Sequence, residues 1–549
     1  MVSRIACVGG GPGGLFFATL IKQADPSVEV TVFERNRAED TFGFGVVFSD
    51  ATLAGIHEAD PVLRTGLADH GRHWDDIEIR LKGRRIRCGG NGMAAITRKT
   101  LLQLLHRRAA EVGVDLRFSS EVPSDPGQLA DYDLIVAADG ANSAFRGRLA
   151  DVLVPEVEVA TAKFIWFGTS YLFDGLTFVH EHGPHGTFAV HGYPISDDVS
   201  TFIVETDEES WRSAGLDEFD TAQPPGPSDE KSRRYLEKLF AEQIDGHELL
   251  VNNSRWGNFR TWRTRRWTSG NVALLGDAAH TAHFSVGSGT KMAMEDAVAL
   301  AGSLLEHRDD LPSALEAYEA ARRPSVEKIQ GSARPSLSWW EHFGRYHDAF
   351  EPTQFAFHFM SRSIGKERIA RRDPEFIGQV ERDWRAGHED RDPLETPLRL
   401  GEREFAGRRL STADIEELRA ADSGCVWLAA PDGEAELPAA YGRLAEAVAT
   451  VADQGASALA AVHGGTPLTR SLLAEQARLV HGIPALIVED GMDDDRAETL
   501  LLSGRADLVG SLSDVGSLGD VGSLGESGSP SDSRSLKEAG ALGEGEARA

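Results

Sequence analysis

Three cysteines in 549 residues, Cys7, Cys88 and Cys425, are too few and too far apart for a disulfide framework or a zinc site. A reducing cytoplasm is therefore the expected setting. No run of about 18 apolar residues occurs, so no membrane-spanning helix is predicted. The N-terminus lacks the basic flank and long apolar stretch of a signal peptide and enters at once the strand-like run Arg4-Ile5-Ala6-Cys7-Val8. Basic residues are scarce, 57 against 86 acidic ones, giving a net charge of −29. Such a surface repels nucleic acid and anionic membrane, and an anionic ligand must be caught by local cations.

The chain length suggests several domains. Residues 1–150 alternate strand and helix patterns. Residues 160–210 are β-branched and aromatic, as in Phe164-Ile165-Trp166-Phe167, and read as antiparallel sheet. A loop at 222–227, a surface helix over 229–245, a strand near 271–276 and helix to about 333 follow. Residues 335–390 are aromatic, charged and helical, and 395–509 form a separate α/β segment. From Gly510 a six-residue Gly/Ser-rich unit recurs; it cannot bury enough surface to offset its ordering entropy, so 510–549 is expected to be disordered.

Strand 4–8 leads into Gly9-Gly10-Gly11-Pro12-Gly13-Gly14 and a helix. Gly9 permits the tight turn, Gly11 lets the backbone approach a pyrophosphate, and Gly14 lets helix and strand pack closely; the helix N-terminus offers N–H donors to phosphate. A second strand ends at Glu34-Arg35, where a ribose-binding acid is expected. Further on come Asp139-Gly140 within Ala138-Asp139-Gly140-Ala141-Asn142-Ser143, and Gly276-Asp277-Ala278-Ala279-His280 followed by Gly287-Ser288-Gly289-Thr290. Taken singly, Asp139 and Asp277 could be a turn residue and a helix cap.

In that order, the three motifs resemble those of the single-component FAD-dependent aromatic hydroxylases with the para-hydroxybenzoate hydroxylase-like fold, over roughly residues 1–390. The resemblance implies an α/β architecture: a Rossmann-like FAD-binding domain (1–160 and 255–335) interleaved with an antiparallel substrate sheet (about 160–255), then a helical stretch and a small C-terminal α/β segment. It implies that Asp277 serves the FAD ribityl chain, that Asp139 and Gly140 serve FAD, and that Arg98 contacts its pyrophosphate. With no second glycine-rich dinucleotide unit, NADH or NADPH is expected only as a transient reductant. Reduced flavin is expected to take up O2 as a C4a-hydroperoxide.

Phe42 to Asp50, Cys88 to Arg98 and Ser285 to Asp296 are similar to the aryl-CoA hydroxylases, enzymes acting on salicylyl- or 2-aminobenzoyl-CoA. The loop departs from the broad hydroxylase pattern at Phe284, Ser288 and Lys291; Lys291 would either stabilise negative charge on reduced flavin or form a salt bridge. For the CoA phosphates, Arg255, Arg260, Arg263, Arg265 and Arg266 are candidates, because guanidinium pairs bidentately with phosphate; the alternative is a strand whose arginines offset acidic neighbours. The sheet bearing Trp166, Phe167, Phe188, His191 and Tyr193 is the expected pocket wall, with His191 or Tyr193 bonding the substrate hydroxyl.

Thr396–Leu400 and His481–Val509 resemble the start and end of an old-yellow-enzyme-like barrel, yet about 110 residues are far short of the roughly 250 of a full barrel. A shortened remnant without reductase activity is expected, an unrelated α/β domain being the alternative. The expected reaction is conversion of salicylyl-CoA to gentisyl-CoA. Alternatives are 2-aminobenzoyl-CoA, a free aromatic acid, or a non-hydroxylating FAD protein. No metal is expected, and a homodimer is allowed but not specified.

Overall fold

The computed structural model describes residues 2–41, 43–220, 226–287, 289–420, 424–453 and 458–511. Phe42, Ser288, loop residues 221–225 and the repetitive tail from 512 lie outside them.

A six-stranded sheet forms the floor of the molecule, in the order Thr268–Ser269, Val272–Leu274, Leu134–Ala137, Arg4–Val8, Glu29–Phe33 and Asp115–Arg117. All its pairings are parallel except that of the short edge strand 268–269. Its central strands are continuous apolar runs because helices cover both faces; Ile5 to Val8 and Leu134 to Ala137 are buried throughout. Pro12–Ala24, with proline in its first turn, packs against Gly289–Glu306.

The second layer is an eight-stranded sheet, ordered Leu249–Leu250, Pro155–Thr169, Ser200–Thr206, Gly186–Pro194, Leu176–Gly183, Ile77–Leu81 and Arg84–Cys88, with Gly257–Thr264 also paired to 155–169. The stretch 160–210 is thus antiparallel sheet, its first strand returning beside Ser200–Thr206 and not beside its chain neighbour Leu176–Gly183. Strand 257–264 belongs to this sheet and not to the FAD-binding part expected over 255–335; it pairs along one edge with Pro155–Phe164, and Thr281 and Gln330 bond Arg260 and Trp262 on the other. Helix Leu311–Ala349 links the two layers, and Trp339, Trp340, Phe343 and Tyr346 near its end form an aromatic core with Phe178, Phe355 and Phe359.

The C-terminal unit holds four parallel strands, Cys425–Ala429, Leu459–His463, Ala485–Val488 and Leu508–Gly510, each paired with the next in chain order. That is the strand order of a barrel wall, not of a doubly wound sheet. The expected first barrel strand is different: Leu398–Leu400 folds back on Arg403–Phe405 as an antiparallel hairpin, since a two-residue turn permits nothing longer.

Candidate functional site

The first turn is built by local constraints. Gly9 has φ +113, and a Cβ there would lie 2.2 Å from the Ala138 carbonyl oxygen. A Cβ on Gly11, by contrast, would meet no protein atom within 4 Å, and Gly11 lines the main cavity. Glu34 accepts from the Gly10 N–H (2.8 Å) and from the Asn36 backbone and side chain (2.8 and 2.7 Å), so its carboxylate braces the turn. Arg35 is exposed beside it.

The three motifs meet. Arg146, six residues past Gly140, donates to the carbonyls of Asp277 (3.2 Å), Ala278 (2.9 Å) and Ala141 (2.5 Å) and stacks over Trp262 at 3.7 Å. One side chain thereby ties the Asp139-Gly140 turn to the Gly276-Asp277 turn. Gly13 abuts Leu275 and Ala293, where any side chain would clash. Behind the loop, buried Asp296 accepts from His280 (2.8 Å), Arg322 (2.8 Å) and the Gly276 N–H (3.1 Å). His280 is consumed in this brace.

The residues present fit FAD. Gly11, Gly140, Gly287 and Gly289 present bare backbone to the cavity. Arg98 lines it too, with no hydrogen bond from its guanidinium to a described residue; burial lowers its pKa and nearby Asp277 works against that. A guanidinium whose donors are free, beside a cradle of bare backbone, is what a diphosphate requires. Asp277 lines the same cavity, its carboxyl pushed up by burial against the pull of His280 and Arg98. Asp139 caps the following helix through the Ala144 N–H (2.7 Å), and its second oxygen is buried without a described partner.

The cavity measures about 1470 Å³ and runs from these loops to the large sheet. Its far end is aromatic: Phe284 stands 5.1 Å from Phe164, 6.0 Å from Trp166 and 5.5 Å from His191. His191 lines it, packed on Trp340 at 4.4 Å, with Nε2 2.7 Å from Glu205. Burial lowers the His191 pKa despite Glu205. Burial also works to raise the Glu205 carboxyl, but His283 (3.6 Å) and His191 outweigh it and hold it at about 2. Tyr193 lines the cavity, stacks near Trp74, and burial pushes its hydroxyl up to about 12. Lys291 lines it one turn into the helix and is bonded to Glu295.

The five arginines proposed for CoA do not gather into one patch. Only Arg260 lines the cavity. Strand alternation puts Asn258, Arg260 and Trp262 on one face, while Arg263 turns away to Glu158 (3.1 Å). Arg255 lies by Phe219 and the Pro227 carbonyl, and Arg265 and Arg266 are exposed in the turn beyond. The cations that do line the cavity besides Arg260 include Lys163, Lys328, Arg362, Arg368 and Arg372. Sequence reasoning missed these, and it missed Glu205 and His283. The available signal for Glu205 was a lone acid in the otherwise uncharged strand Ser200–Thr206, every residue of which is buried.

A dinucleotide sheet, three loops joined around one cavity and an aromatic pocket beyond them define a flavoprotein that acts on a ring. Residues 3–333 match the family described as FAD binding domain. The chain is 58% identical over 523 residues to a salicyloyl-CoA 5-hydroxylase from a Streptomyces species, covering 92% of this chain and 99% of the relative. It is 38% identical over 337 residues to a 3-hydroxy-4-methyl-anthranilyl-[aryl-carrier protein] 5-monooxygenase of Streptosporangium sibiricum, covering 61% and 89%. The tetrameric form of 2-methyl-3-hydroxypyridine-5-carboxylic acid oxygenase is similar in fold, with TM-score 0.51 and 21% identity over 66% of this chain and 98% of that one. The chain belongs to this FAD-binding family and is an FAD-dependent aromatic-ring monooxygenase. A match of 523 residues has to include most of the C-terminal unit, so that unit is shared with the Streptomyces relative.

Proposed function

We propose that this enzyme hydroxylates salicyloyl-CoA at ring carbon 5, with NAD(P)H and O2 as co-substrates. The observation that carries this reading is the 58% identity extending over nearly the whole Streptomyces hydroxylase. Ring chemistry agrees: the hydroxyl directs an electrophile ortho or para to itself, the thioester directs it meta, and carbon 5 satisfies both.

Bound FAD supplies the redox chemistry, accepting a hydride from NAD(P)H and activating O2 for transfer of one oxygen atom to the ring. The chain's own residues do the rest. Gly11, Arg98, Asp139, Gly140, Asp277, Gly287 and Gly289 would hold FAD, with Lys291 near its ring system. Phe164, Trp166 and Phe284 exclude water and fix the plane of the aryl group. Tyr193 keeps its proton through the working pH range and can donate to a substrate oxygen, and His191, neutral beside Glu205, can accept a proton. Arg260 and Lys328 are suited to the CoA phosphates: Gln330 donates to the carbonyls of Trp262 and Thr281 (2.8 Å each), bringing the helix that carries Lys328 to the strand that carries Arg260. The C-terminal unit reads as a four-strand barrel remnant that makes no second flavin site, so the product stays aromatic.

The test is a panel of aryl-CoA esters beside their free acids, scored for hydroxylated product with NADH and with NADPH. Gentisyl-CoA from salicyloyl-CoA is expected. Turnover of salicylate but not its thioester defeats the CoA assignment.

A further inference from the structure

A run of polar contacts, carried across one step by the Ser361–Arg362 peptide bond, joins the aromatic pocket to the C-terminal unit. From Glu205 it passes to His283, whose Nδ1 lies 2.7 Å from the Ser285 hydroxyl, and on to the Ser336 hydroxyl at 2.8 Å. Ser336 accepts from Arg362 Nε at 2.8 Å. Next in the chain to Arg362 is Ser361, which accepts from Arg505 Nη1 at 2.9 Å. Arg505 also donates to the His358 carbonyl (2.9 Å) and lies 3.5 Å from Glu475. Glu475, 2% exposed, accepts from the Tyr346 hydroxyl at 2.5 Å and meets His358 at 3.2 Å. Arg505 and Glu475 belong to the C-terminal unit; everything before them belongs to the hydroxylase.

Arg362 is the distinctive member. It lines the cavity, stacks on Phe359 at 3.9 Å, and forms no salt bridge with any described carboxylate. Its Nε and Nη1 each make one inward hydrogen bond, to Ser336 and to the Phe359 carbonyl, leaving three of the five guanidinium N–H bonds uncommitted. Burial, then Arg505, then the opposing pull of Glu205 leave its pKa lowered to about 9. A half-buried guanidinium that faces a cavity with free N–H donors and no paired carboxylate is suited to an oxygen ligand.

We propose that Arg362 binds the ring oxygen ortho to the thioester, and that Glu475 and Arg505 of the C-terminal unit are its positioning residues. The guanidinium faces the substituent that activates the ring and that gains negative charge as carbon 5 is attacked. Glu475 offsets the charge of Arg505 and fixes it; Arg505 in turn fixes the Ser361–Arg362 backbone. The barrel remnant is retained, on this account, because it holds one wall of the hydroxylase pocket. This inference rests on the substrate class proposed above and adds a residue and a unit to it.

The experiment uses full-length, FAD-loaded protein. Wild type, Arg362→Gln, Arg362→Lys, Glu475→Gln and their double variants are compared for KM and kcat on salicyloyl-CoA. The inhibition constant of benzoyl-CoA, which lacks the ring hydroxyl, is measured alongside. Arg362→Gln is expected to raise KM about 10- to 100-fold while shifting benzoyl-CoA inhibition far less, with part of the loss recovered in Arg362→Lys. Glu475→Gln is expected to weaken salicyloyl-CoA in wild type but to add nothing in the Arg362→Gln background, because a residue acting through another loses its effect when that other is gone. Ser361→Ala, which deletes the Arg505 contact together with the long bond from the Ser361 hydroxyl to the His358 carbonyl (3.5 Å), answers the same question should Glu475→Gln fail to fold. Unchanged discrimination in Arg362→Gln, or additive penalties, would overturn the inference while leaving the substrate assignment intact. A wild type inactive on every aryl thioester would overturn both.

Discussion

Gly11→Ala separates cofactor binding from folding. The backbone at Gly11 is at φ −76, ψ 173, open to any residue, and a Cβ there meets no protein atom within 4 Å. The apo-protein should therefore be as stable as wild type or gain about 0.4–1 kcal/mol from a less flexible unfolded chain. The new methyl group instead occupies cavity space at the helix N-terminus, where the proposed cofactor's diphosphate would lie. Losing one charge-assisted hydrogen bond costs roughly 1.5–3 kcal/mol, or on the order of 10- to 150-fold in Kd. Gly9→Ala is the contrast: at φ +113 with a carbonyl oxygen 2.2 Å from the new Cβ, it strains the fold itself, by about 1–3 kcal/mol for the backbone alone. Urea unfolding of both apo-variants, with FAD titrated by quenching of flavin fluorescence, measures each side. Should Gly11→Ala bind FAD like wild type, or lose as much apo-stability as Gly9→Ala, the assignment of this turn to the cofactor's phosphates fails.

Asp296→Asn leaves His280 against a neutral group and Arg322 with Glu295 (2.9 Å) as its remaining carboxylate; destabilisation of about 3–5 kcal/mol with faster FAD loss on heating is expected. Deleting residues 395–549 strips Glu475 from Tyr346 and His358 and exposes the Phe350 and Phe355 aromatic core; the shortened protein should aggregate or lose turnover, as read by size-exclusion chromatography and NADH oxidation. Acid should destabilise the fold in two stages. His180, His191 and His358 are held below their ordinary 6.5 chiefly by burial, His358 at about 4, so each contributes stability that is complete above pH 6.5 and lost as pH falls through its folded value. Glu205 and Glu475, each held at about 2 because histidine contacts outweigh burial, contribute stability complete above pH 4.5 and lost toward pH 2. Denaturation midpoints from pH 7.5 to 3 should fall throughout; a rise between pH 6.5 and 5 would refute the assignment of neutral buried histidines.

What the amino-acid sequence determined by itself is what depends on neighbours along the chain. The glycines at 9, 11 and 14, the Asp-Gly turn at 139–140, the Gly-Asp turn at 276–277 and the antiparallel strands of 160–210 carry their geometry in backbone sterics and residue alternation, so they could be read before any coordinates. Of the C-terminal segment only its α/β character could be read this way: the strand expected at 396–400 is a hairpin arm, and the pairing of Cys425–Ala429 with Leu459–His463 was not anticipated. Tertiary structure decided which side chains share a space. Arg260 faces the cavity while Arg263, three residues on, faces Glu158, because the strand's register against Pro155–Lys163 sets the phase. Glu205, His283 and Arg362 are separated by 78 and 79 residues, and no local rule relates them; they are joined because a histidine, two serines and a guanidinium must satisfy one another once packing has removed water. The link from Arg362 to Glu475 has the same origin: a charge buried between two units can exist only where the fold brings its partner.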